Sequence, residues 1–166
     1  MRALTESEIR ESFVNCSKGE SRRLPVPRDL AERPWSDLDF LGWRDGGAPD
    51  RCYLVADRPG GPVGITLRVP QGPRRSLTRS NSCSLCITTH AGSGVALLAA
   101  RRAGAAGREG NTVGTYVCAD LACSLYVRGL KKSALVSRPD ESLPLEEQIA
   151  RTVGRLDDFL AKVLTA

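Results

Sequence analysis

The chain has 166 residues, of which 41% are hydrophobic, 26% charged and only 5% aromatic. That supports one domain with an aliphatic core, at a charged fraction close to the soluble globular average. No window approaches the roughly 18 consecutive apolar residues of a membrane span, and the opening MRALTESEIRESF lacks the apolar stretch of a secretory signal. The chain therefore reads as soluble, cytoplasmic and without a membrane partner. Its net charge of +5 is unevenly placed: residues 68–138 carry +9 and the remainder −4. A cationic centre between acidic ends suits an anionic partner such as RNA or an acidic protein surface.

In chain order, residues 5–16 read as the first helix, with Thr5 and Glu8 forming a T-x-x-E capping box and Gly19 as its stop. A proline-stiffened segment, 24–45, carries Leu30, Trp35, Leu38, Phe40, Leu41 and Trp43, with a short helix expected at 28–32. Residues 52–56 and 63–69 form a β-hairpin, spanning 52–69, around Pro59-Gly60-Gly61-Pro62. The polar stretch 71–82 is an exposed loop. Strands follow at 94–100 and 112–117, joined by the glycine-rich turn 104–111, then a short helix at 121–128 ended by Gly129 and a loop over 131–143. The last helix, 145–164, shows an apolar stripe at Leu145, Ile149, Val153, Leu156, Leu160 and Val163. The expected class is α+β: a small antiparallel sheet flanked by N-terminal and C-terminal helices, in one domain spanning 1–166.

Six cysteines in a reducing compartment argue against a disulfide scaffold. Cys16 and Cys52 stand alone in apolar-periodic segments and read as buried. Cys83-x2-Cys86 and Cys118-x4-Cys123 supply four soft ligands in two pairs, the composition of a structural zinc site closed by protein groups alone. Two intervening residues let Cys83 and Cys86 point at one centre. Residues five apart on a helix diverge by ~140°, so Cys118 must end a strand. Asp120 then serves as N-cap, with Cys123 at the third helical position. A knuckle, a hairpin and a helix-borne last ligand describe a treble-clef zinc finger, here over residues 80–130. His90, the one histidine, is either an alternative ligand or a polar residue on the strand leaving the knuckle. Four thiolates leave no open position for a catalytic water, and no G-x-S-x-G elbow is present, so a binding protein is expected rather than an enzyme. A thiol oxidoreductase would need a low-pKa thiol in the metal-free form.

S-F-V-N-C-S-K-G-E (12–20), C-S-L-C (83–86), G-R-E-G-N-T-V-G-T-Y-V-C (107–118), C-A-D-L-A-C-S-L-Y-V-R-G (118–129) and L-E-E-Q-I-A-R-T-V (145–153) resemble the elongation-factor-G-binding proteins related to FusB, the fusidic-acid-resistance protein. The resemblance is to their C-terminal zinc-bearing part, as in short forms without the N-terminal helical bundle. It implies binding of elongation factor G through the finger and release of that factor from the ribosome. That release would serve either fusidic acid resistance or ordinary translation. In the family's resistance proteins the third ligand is a histidine; here the position is Cys118. Tyr116, Tyr126, Arg128, Lys131 and Lys132, on or beside the finger's last strand and helix, are the expected partner-binding residues. The rival reading is direct RNA binding, with Arg74, Arg75 and Arg79 tracking phosphates.

Overall fold

Hydrophobic alternation builds a five-stranded antiparallel sheet in the computed structural model, which describes residues 1–70, 81–132 and 141–165. Its strands, in spatial order, are β1 (Leu41–Arg44), β2 (Arg51–Arg58), β3 (Gly61–Arg68), β6 (Val95–Arg101) and β7 (Thr112–Cys118). A separate two-stranded ribbon, β4 (Asn81–Ser82) and β5 (Thr89–His90), carries the first cysteine pair between its strands. The α+β class and the central hairpin are as expected. β1 is an addition: its four residues lie inside the proline-rich segment and pair with β2 from Leu41↔Val55 to Arg44↔Cys52.

The sheet is covered on both faces, which is why β2 is buried at five consecutive positions, 52–56. One set of its residues, Cys52, Leu54 and Ala56, joins Ile65, Leu67, Leu98, Val117 and the helix α5 (Leu145–Leu164). The alternate set, Tyr53 and Val55, joins Leu41, Trp43, Leu4, Ile9 and Leu24 from the N-terminal segment. On α5 the buried residues are Thr152, Leu156, Phe159, Leu160 and Val163, while Leu145 is about half exposed. The stripe is therefore offset from the expected one toward Phe159.

The first helix is shorter than the pattern suggested. The Thr5–Glu8 capping box is present, but α1 spans only Glu6–Glu11, and a second capping box, Ser17 with Glu20, starts α2 (Lys18–Arg23) through Gly19. Between them, residues 12–15 leave the helix to pair with β3: Gly64 N–H donates to the Ser12 carbonyl and Val14 N–H to the Gly64 carbonyl, both at 2.9 Å. Gly64 permits this approach, since a Cβ there would lie 2.4 Å from Ser12 Oγ. Asn15 then bridges β3 and β6, donating to the Thr66 and Arg101 carbonyls and accepting from Thr66 N–H. The expected helix at 28–32 is reduced to 3₁₀ turns at Leu30–Glu32 and Trp35–Asp37. The glycine-rich turn holds a short helix, α3 (Gly104–Arg108). Among the described residues, no helix is long and apolar enough to cross a membrane.

Candidate metal centre

Cys83 and Cys86 lie in the turn of the β4–β5 ribbon, Cys118 is the last residue of β7, and Cys123 opens the helix α4 (Cys123–Val127). The ribbon is tied to the sheet by Ser84 N–H donating to the Tyr116 carbonyl at 2.7 Å. Arg155 of α5 adds a hydrogen bond to the Ser84 carbonyl at 3.0 Å. All four cysteines are buried, none is in a disulfide, and their Sγ atoms lie within 4.8 Å of one another. Cys83 and Cys123 Sγ are 3.7 Å apart, and Cys86 and Cys118 Sγ 3.5 Å. A zinc tetrahedron with Zn–S near 2.3 Å has S–S edges of about 3.8 Å, so the spacing fits that ion.

The surroundings favour thiolates. Leu85 and Cys86 N–H donate to Cys83 Sγ at 3.3 and 3.4 Å. Hydrogen bonds from Cys118 and then Cys123 pull the Cys83 thiol far down, while hydrogen bonding to Cys118 pushes the Cys123 thiol up. Among themselves, then, the thiols must share protons, whereas a dication takes all four as thiolates. Both cysteine loops hold a non-glycine residue in the left-handed region, Ile87 at φ 62° and Leu121 at φ 58°. Such residues cost about 1–2 kcal/mol each, and a closed tetrahedral site over-determines both turns.

Cys118 ends its strand as expected, but the start of α4 differs. Its N-cap is Ala122, without a side-chain cap, and Cys123 is the first helical residue rather than the third. Asp120 instead accepts from Ala122 N–H at 3.1 Å, from the Tyr126 hydroxyl at 3.0 Å and from Lys131 Nζ at 2.8 Å. Burial alone would raise its carboxyl; Lys131, the Ala122 amide and Tyr126 together bring it below its usual value. His90 is buried beside the cluster, with Nε2 3.3 Å from Cys118 Sγ and its ring edge-on to Tyr126 at 4.7 Å. It is not among the group of four whose donor atoms all lie within 4.8 Å of one another. Cys52 is fully buried; Cys16 is only partly so, a correction to the expectation for that residue.

The five expected partner-binding residues separate by environment. Tyr126 is 7% exposed and Arg128 makes a two-pronged ion pair with Asp39 at 2.7 and 2.8 Å, so both are engaged inside the fold. Tyr116 is half-buried on β7. Lys131 and Lys132 are exposed, Lys131 lying 5.7 Å from the Tyr126 ring centroid. Leu130, which sequence reasoning passed over, is 61% exposed beside them; an apolar residue between a helix-ending glycine and two lysines was the available signal. Asp39 had none, being 89 residues from its partner. Arg74, Arg75 and Arg79 lie outside the described residues.

Among known families, residues 8–163 match one described as the FBP C-terminal treble-clef zinc-finger. Searches of curated proteins and of solved structures return no match to the chain.

Proposed function

The chain belongs to the FusB-type C-terminal treble-clef zinc-finger family, and from that premise we propose that it is a non-catalytic, zinc-containing protein that binds elongation factor G. By this reading it promotes release of the factor from the ribosome, in fusidic acid resistance or in ordinary translation. The observation that carries the reading is the family match over nearly the whole chain, with a four-cysteine centre that fits zinc at its heart. Zinc here is structural. It locks the ribbon, the end of β7 and α4 into one unit and so holds residues 129–132, directly after α4, beside it.

Among the described residues that follow α4, Leu130, Lys131 and Lys132 have side chains exposed to a partner. An apolar anchor with flanking cations suits an acidic protein surface: burial of the leucine supplies affinity, and the lysines steer encounter. Isothermal titration against purified elongation factor G tests this. Lys131→Glu with Lys132→Glu is expected to weaken binding at least about tenfold, with zinc content and melting temperature nearly unchanged, because exposed cations contribute little to folding. Arg22→Glu with Lys162→Glu, also exposed, is the charge-matched control. Equal loss in both would reduce the effect to net charge and remove the assignment of this face. Binding to RNA but not to the factor would overturn the reading in favour of its rival.

A further inference from the structure

At the end of the sheet remote from the four-cysteine centre, five arginines from five elements surround one open groove of about 700 Å³. They are Arg23 at the end of α2, Arg51 on β2, Arg68 on β3, Arg101 on β6 and Arg108 on α3. All five are exposed, and among the described residues none is in an ion pair. Arg51 and Arg68 are direct cross-strand partners. Like charges in that relation destabilise a sheet, and here no acid stands between them. The register puts Arg101 on the same face, one strand further on.

Two acids line the groove, and each carries hydrogen bonds within its own segment, while Glu20 also feels Arg23 and Arg101 and Asp45 feels Arg51 through space. Glu20 accepts from the Ser17 amide and hydroxyl as the second half of a capping box. Asp45 accepts from the Gly47 and Ala48 amides and from the Tyr53 hydroxyl. The sixth arginine of the lining, Arg102, is turned to the Thr165 carbonyl. The five arginines therefore outnumber the two acids of the lining, and among the described residues none of their guanidiniums is in an ion pair. Such donors match phosphate oxygens in geometry and charge.

We propose that this groove is a binding site for a small oligophosphate, a run of two or more phosphates either free or carried on a nucleotide. The volume lies within the range of small-molecule sites. The one aromatic residue of the lining, Tyr53, is 3% exposed, so no stacking platform exists for the bases of an RNA strand. Oligophosphate bound between Arg51, Arg68 and Arg101 cancels the cross-strand repulsion, and the arginines of α2 and α3 close on it from either side. The site is independent of the zinc finger: Thr112 lines the groove and Cys118 ends the same strand, six residues or about 20 Å away.

The test is isothermal titration and thermal shift of the zinc-loaded full chain with sodium tripolyphosphate, a nucleoside triphosphate and a single-stranded RNA oligomer. One equivalent of tripolyphosphate is expected to bind, more weakly as salt rises, and to raise the melting temperature. Arg68→Gln with Arg101→Gln should weaken it at least about tenfold, while the ligand-free variant melts no lower than the parent. Lys131→Gln with Lys132→Gln should leave the binding unchanged. Tighter binding of the nucleoside triphosphate identifies a nucleotide as the carrier; equal binding identifies the phosphates alone. Either supports the site. Absence of saturable binding by both, undiminished binding in the double variant, or binding of the RNA alone overturns it, and none of these outcomes bears on elongation factor G.

Discussion

Arg128 and Lys131 are three positions apart and carry the same charge, but their surroundings differ. Arg128 and Asp39 have side chains only 16% and 9% exposed, and the carboxylate holds the guanidinium above its usual pKa. The pair ties the end of α4 to the chain just before β1, and Asp39 N–H also donates to Ser124 Oγ at 2.9 Å. Arg128→Ala would leave Asp39 enclosed without its counter-charge, at an expected cost of about 3 kcal/mol. Lys131 and Asp120 are 46% and 37% exposed, where solvent screens the pair, so Lys131→Ala should cost well under about 1 kcal/mol. Urea denaturation of the two variants decides between them. Equal losses would mean that Arg128 is no more structural than Lys131.

At the scale of elements, the segment between α1 and α2 is what joins the two halves of the sheet. β3 and β6 are registered directly at only Arg68↔Ala99. The rest of that edge is filled by Ser12–Val14 and by the Asn15 side chain, which satisfies the Thr66 N–H and two carbonyls. Asn15→Ala would orphan these groups, at about 1–3 kcal/mol, and should speed hydrogen exchange of the Thr66 amide. Unchanged protection there would show that the backbone of the segment holds the edge without the asparagine. The second capping box, S-x-x-E at 17–20, is as legible as the first, but Gly19 inside it carries the signature of a helix stop. The break at Ser12 was not legible, since Phe13 and Cys16 fit helical spacing as well as they fit the strand edge.

For the whole molecule, the zinc site and the sheet share one core. Cys83, Cys86, Cys118 and Cys123 lie in the cluster that includes Leu54, Leu98 and Leu156, and β2 carries residues of both faces. Structural zinc in such sites contributes about 10 kcal/mol or more, comparable with the entire stability of a domain of this size. Chelation at pH 7 is therefore expected to unfold the chain cooperatively, with the buried Trp43 changing its fluorescence in step with the loss of secondary structure. Cys118→Ser should be recovered without stoichiometric zinc and in the same state. A native Trp43 signal after zinc has left would show that the N-terminal half folds independently of the finger.

The sequence by itself determined which four cysteines could form one centre, the strand-ending place of Cys118, the central hairpin and the last helix. Each rests on spacing between near neighbours, where pair separation or apolar period translates directly into geometry. Tertiary structure alone decided which cations face outward. Arg128 meets Asp39 across 89 residues and Tyr126 meets His90 across 36, and no local pattern encodes such pairings. It alone also gathered Arg23, Arg51, Arg68, Arg101 and Arg108 into one groove. They are spread over five elements, and only the register of the sheet brings their charges to one face.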